Sequence, residues 1–210
     1  MPKNSSLSIK ESWKEISSSP ANRLKLIISS VVIFIILALL PYFFRWVEKR
    51  NGIVMNDWVL AQIPQHNVSV PIFIVIWGMS LLILYRAIHK PSIYIVYCWS
   101  LIIISLLRVL AITLFPLNPP IGLIPLSDPL TGVFYGQAVI TKDLFYSGHT
   151  SIMTLTFLCL EKRSDKTIGA IATITVATLL MVQHIHYTID IVAAPIITYI
   201  CYSFTKKYIV

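Results

Sequence analysis

Apolar residues run along this chain in long blocks, and the polar residues gather at the ends of the blocks. A helix that spans a bilayer needs about 20 mostly apolar residues, and six blocks come near that length. The first lies between Lys25 and Arg45. The second runs from Val68 to Tyr85 and stops at Arg86. The third runs from Pro91 to Phe115 and contains one charge, Arg108. The fourth lies between Asp143 and Glu161, and the fifth between Lys166 and Gln183; both are short. The sixth runs from about His186 to Phe204, stops at Lys206 and Lys207, and contains Asp190. None alternates with the period of two that a barrel strand requires, and an open sheet leaves its backbone unsatisfied in lipid. The pattern predicts an all-α polytopic membrane protein with six transmembrane helices in one bundle. A short polar tail, residues 1–25, precedes a membrane domain, residues 26–207. The tail is Ser-rich and no small-residue cleavage site follows the first block, so that block reads as a permanent span. No internal repeat is visible, which disfavours the inverted-repeat transporter folds.

Composition then narrows the class. Of 210 residues, 56% are hydrophobic and only 12% charged, against about 25% charged in a soluble domain. A water-soluble enzyme, a disordered chain and a nucleic-acid binder are all poorly matched. The net charge of +8 fits loops of a membrane protein better than it fits contact with nucleic acid. With the N-terminus inside, inner segments carry twelve Lys and Arg and outer segments four. That bias predicts both termini in the cytoplasm. The Pro-rich loop from Pro116 to Lys142 then lies outside, with the starts of the fourth and sixth helices. Cys98, Cys159 and Cys201 sit inside apolar blocks, which suggests neither a disulfide framework nor a zinc site.

Ionisable groups at membrane depth are costly and are candidates for function. Three clusters qualify: Arg108; Asp143 with Ser147, Gly148 and His149; and His184, His186 and Asp190. Charge counting alone puts all three at the same outer face. His186 and Asp190 are four apart, so on a helix they share a face. The carboxylate can then hold the imidazole in one tautomer, as the acid of a catalytic triad does; a plain helix-stabilising pair is the other reading. His149 follows Ser147 and Gly148 where the fourth helix begins. Ser147 can cap that helix or bind an anion oxygen, Gly148 permits close approach of the backbone, and the free N–H groups suit phosphate. Arg108 either snorkels outward or binds phosphate oxygens and offsets developing charge. Asp143 either orients a catalytic group or marks the membrane boundary. His184 leans to a structural place, and His66 and His89 fall in loops. Two His and one Asp could ligate a metal, but no further carboxylate or thiol completes a shell and Arg108 would repel a cation. No metal and no cofactor are expected.

The strings KDLFYSGHT (142–150) and HIHYTID (184–190), with Arg108 near the outer end of the third span, resemble the sphingomyelin synthase and related sphingolipid synthase family. That family lies within the type-2 phosphatidic acid phosphatase-like superfamily. RVLAITLFPLNPP (108–120) is similar to its Arg-containing third helix and outer loop, and MNDWVLAQIP (55–64) to the stretch before its second helix. The resemblance implies a six-helix bundle with an outward site and no metal. His149, His186 and Asp190 fall on the family's catalytic residues, with Asp143 and Tyr187 in support. It further implies transfer of a phospholipid headgroup to a lipid alcohol (ceramide or diacylglycerol) or to water, with diacylglycerol released. A lipid phosphate phosphatase and a non-catalytic transporter or scaffold are the other classes. Two departures disfavour a plain phosphatase: Val109 follows Arg108 where the phosphatases have Pro, and Leu180 stands where they place an Arg six residues before the second His.

Overall fold

The computed structural model describes residues 8–127 and 140–210, so residues 128–139 of the Pro-rich loop lie outside the described residues. Seven α-helices occur among those described: α1 (Ile9–Ser18), α2 (Pro20–Glu48), α3 (Ser69–His89), α4 (Pro91–Leu114), α5 (Gly148–Cys159), α6 (Arg163–Val182) and α7 (Thr188–Tyr208). The described residues include no strand, only one bridge between Ile53 and Leu117. The expected helical class is therefore observed.

Five helices, α2, α3, α4, α6 and α7, are long and apolar enough to cross a membrane, and the chain is an integral membrane protein. The fourth expected span differs. Residues 143–147 are not helical, and α5 has 12 residues, about 18 Å of rise against a hydrocarbon core of about 30 Å. α5 packs against α3, α4, α6 and α7, and most of its positions are buried, among them Met153, Leu155 and Cys159. A helix enclosed on all sides by others has no lipid thickness to match.

Residues 9–18, expected as tail, form a helix instead. Ser8 and Glu11 make a reciprocal capping box that satisfies the first free N–H groups. The Trp13 indole donates to the Ile88 carbonyl at 2.7 Å and meets Tyr94 edge-on, which ties α1 to the α3–α4 turn. At that same end Arg86 clasps Asp165 through two nitrogens, at 2.7 and 3.3 Å, and Lys90 meets Glu161. These pairs join α3 and α4 to the end of α5 and the start of α6.

The opposite end gathers the C-termini of α2, α4 and α6 and the N-termini of α3, α5 and α7. Side chains there bind backbone that the loops leave free. Arg50 donates to the carbonyls of Ile112 and Thr113, the last turn of α4, where a cation is favoured. Glu48 accepts the N–H groups of Thr141 and Lys142 at 2.6 and 2.7 Å. The Gly52 backbone lies so close to Leu117 and Asn118 that a Cβ would strike their main chain. All these contacts fix the approach to residues 143–149.

Candidate active site

The three clusters predicted from sequence come together at this loop-rich end. Ser147 is the N-cap of α5, accepting the Thr150 N–H at 3.2 Å. Its own N–H donates to the Asp190 carbonyl at 3.1 Å, so the SGH segment is bonded to the first turn of α7. Arg108 lies about 9 Å below the C-terminus of α4 and forms an ion pair with Asp143. Its guanidinium sits directly on Gly148, where any Cβ would overlap it, and 5.9 Å from the Tyr146 ring centroid. The Tyr146 hydroxyl donates to the Ile104 carbonyl at 2.8 Å, one turn below Arg108 on α4.

His186 and Asp190 do meet, at 3.4 Å between Nδ1 and Oδ2, but they do not share a helical face as expected. α7 begins at Thr188, so His186 precedes the helix and turns back toward it. Asp190 Oδ2 also accepts the Tyr187 N–H at 3.1 Å, and both His186 and Asp190 are buried. An Nδ1–H tautomer donating to Oδ2 leaves the lone pair of the ring on Nε2. Asp190 Oδ1 is buried and has no hydrogen-bond partner among the described residues. His149, the second residue of α5, is partly exposed and lies edge-on to Phe73 of α3. Among the described residues, no three His, Cys, Asp or Glu side chains group as metal ligands would.

The other predicted residues hold the frame. Both His184 ring nitrogens lie on backbone carbonyls, Nδ1 at 3.1 Å from Ile121 and Nε2 at 2.9 Å from Ile63, the structural place expected for it. Tyr187 is buried, its hydroxyl donating to the Asn118 carbonyl and accepting the Met55 N–H. It therefore pins two loops over the start of α7. Asp143 forms an ion pair with Arg108, a partner that neither of its two expected places named.

Several contributors were not picked out from sequence. Gln183 is wholly buried and donates to Ser69 Oγ at 2.7 Å while accepting the Val68 N–H; it read only as the end of a span. Phe145 adopts φ 103°, a conformation rare for a bulky residue. It stacks on Phe115 at 4.4 Å, while Tyr146, its neighbour in the chain, turns inward. Asp57 caps α7 from a distant loop: it accepts the Thr188 N–H at 2.6 Å and the Thr188 hydroxyl at 3.0 Å, and the Leu60 N–H. Burial by itself would raise the Asp57 pKa, but the hydrogen bonds from Leu60, Thr188 and Val59 outweigh it and hold the carboxyl below its usual 3.8. A depressed carboxyl adds stability above its unfolded value and loses it as pH falls through the folded value. Asp57→Asn is expected to cost about 1 kcal/mol near neutrality. Thermal melts at a series of pH values should show the difference from the parent closing in acid; a gap that stays constant with pH would refute the cap.

Residues 142–208 match the family model described as PAP2 superfamily C-terminal. The match covers roughly the last third of the chain. It includes Asp143, Ser147, Gly148, His149, His186 and Asp190, and ends at the last residue of α7; Arg108 lies outside it. No curated protein matches the chain.

Proposed function

We propose that this protein is a membrane lipid phosphotransferase or phospholipase C, similar to the sphingomyelin synthases, with its site on the extracytoplasmic side. One observation carries the reading: the hydrogen bond from Ser147 to Asp190 joins the SGH segment to the His186–Asp190 pair, with Arg108 against Gly148 beside them. The PAP2 match, which takes in Ser147, Gly148, His186 and Asp190, supports phosphatase or phosphotransferase chemistry on lipids.

The donor phosphate is held by Arg108 and by the first N–H groups of α5, where the helix dipole favours an anion. His186, oriented by Asp190, attacks phosphorus through Nε2. The P–O bond to diacylglycerol breaks, and His149 gives its proton to the departing oxygen. His149 then takes the proton of the acceptor hydroxyl. The acceptor oxygen bonds phosphorus and the N–P bond to His186 breaks. Ceramide, another lipid alcohol or water serves as acceptor. One imidazole starts neutral and the other protonated, so the rate rises and falls with pH.

Charge favours a phosphodiester over a phosphate monoester. A monoester carries roughly −1.5 to −2 at neutral pH, and a diester carries one charge. Among the described residues the permanent cation against Gly148 is Arg108, which Asp143 already partly neutralises. Lys142 turns away to the Arg50 carbonyl, and Leu180 is fully buried in the core. A single shared guanidinium suits the diester. The test is to give the purified protein a panel of phospholipids, with and without ceramide, and to identify products by mass spectrometry. Diacylglycerol with a transferred or free phospho-headgroup is the expected outcome. Inorganic phosphate released from phosphatidic acid, with no diester cleaved, would replace this reading with a phosphatase.

A further inference from the structure

We infer that a group of cations at the end of the bundle opposite the candidate site is a docking surface for the headgroup of an anionic phospholipid in the adjoining leaflet. The cations are Lys162, Arg163, Lys166, Lys206 and Lys207. Lys162 precedes α6, Arg163 and Lys166 lie in its first turn, and Lys206 and Lys207 lie in the last turn of α7. The end of α5 connects the two sets, because α5 packs on both helices. Gly169 of α6 lies against Phe157 and Leu160, and the Lys166 ammonium stands 5.4 Å from the Phe157 ring centroid. Lys166 and Lys206 both come within electrostatic reach of the thiol of Cys159, the last residue of α5.

The acids beside these cations are already engaged. Arg86 of α3 holds Asp165, and Lys90 holds Glu161. Among the described residues none of the five cations forms an ion pair. Lys162, Arg163, Lys206 and Lys207 are exposed, and Lys166 is half-buried. Such an array repels itself until counter-charge meets it. α1 lies at the same end without this imbalance, because its Lys10 and Lys14 are matched by Glu11 and Glu15 in the same helix.

The surroundings favour a lipid as the source of that counter-charge. α6 and α7 are both long and apolar enough to cross a membrane, so their charged ends stand at headgroup level. The ammonium groups of Lys206 and Lys207 lie 5.5 and 5.0 Å from the ring centroids of Tyr202 and Tyr208, and such rings favour the membrane–water interface. Deeper along the helices, Ile168 and Ile171 of α6 and Ile200 and Phe204 of α7 are exposed. A phospholipid has the same order of parts, an anionic head and then hydrocarbon. Basic clusters between spanning helices bind such heads through their phosphates. A soluble anion would meet the cations and leave the apolar surface uncovered.

The experiment titrates the whole protein in mild detergent with phosphatidylglycerol or with phosphatidylcholine and counts bound lipid by native mass spectrometry. A cation beside an anionic headgroup is worth roughly fivefold in affinity, so phosphatidylglycerol should bind about tenfold or more tightly than phosphatidylcholine. Lys206→Ala with Lys207→Ala should remove most of that preference, and so should Lys162→Ala with Arg163→Ala. All four positions are exposed, so both variants should melt near the parent, and either pair serves if the other does not fold. Lys10→Ala with Lys14→Ala removes the same amount of charge from α1 and should leave the preference unchanged. Equal binding of the two lipids by the parent overturns the inference. So does a loss in the α1 variant as large as in the other two, which would mean diffuse attraction by net charge. Displacement of the bound lipid by an equal concentration of glycerol phosphate also overturns it, in favour of a soluble anion. Binding is read without turnover, so the result does not depend on the reaction proposed above.

Discussion

His186→Ala and His149→Ala should each lower phospholipid turnover by about 10³-fold or more, since general acid–base groups contribute about 10²–10⁴ and a lost nucleophile costs at least as much. Asp190→Asn should lose a similar factor by a different route. An amide at 190 still accepts the Tyr187 N–H at the start of α7, so the turn that carries His186 is kept. It no longer favours the Nδ1–H tautomer of His186 or stabilises charge on that ring. The readout is turnover beside melting temperature in the same detergent. Inactive variants that melt near the parent assign the three residues to chemistry. Near-normal turnover in either histidine variant would remove that residue from the mechanism. Asp190→Ala is the informative companion, because it also strips the acceptor from Tyr187 and should lower the melting temperature where the amide does not.

The spans were legible because the hydrophobic effect writes them in blocks. α4 begins at Pro91 as expected, and α6 ends at Val182, just before Gln183. α5 was legible as an apolar block but not as a short enclosed helix. Periodicity reports what is apolar, and a helix surrounded by helices is apolar on every face, as a spanning one is. The candidate residues were conspicuous for a related reason: His, Asp and Arg stand out against an apolar background. Their roles as frame or chemistry were harder to read. His184 and His186 are two residues apart, yet one holds the Ile63 and Ile121 loops and the other meets Asp190. That division depends on the φ 54° turn at His184, which no spacing rule contains. Asp57 and Glu48 were invisible for a third reason. Each binds backbone more than ninety positions away, and such contacts leave no local pattern.

Gly148→Ala should separate folding from function most cleanly. The three atoms nearest the added methyl would be Nη1, Cζ and Nη2 of Arg108, all of one side chain. Gly148 opens α5 in helical conformation without a positive φ, so alanine fits the chain. It is also the better helix former, by about 1 kcal/mol in a helix interior. The guanidinium is the free end of a flexible side chain and can swing aside, so stability should change by no more than about 1 kcal/mol. Function has no such latitude. Displacing the cation removes a positioned donor from the phosphate, and such losses cost about 10²–10³ in rate. The expected result is a normal melting temperature with kcat/KM down by about 10². Arg108→Ala supplies the check. If the methyl acts through the guanidinium, adding Gly148→Ala to Arg108→Ala should cost nothing more, as residues in contact are coupled in a double-mutant cycle. A full second loss in the double variant would show that the methyl harms catalysis by another path, and near-normal turnover in Arg108→Ala alone would leave Arg108 without its assigned part in holding phosphate.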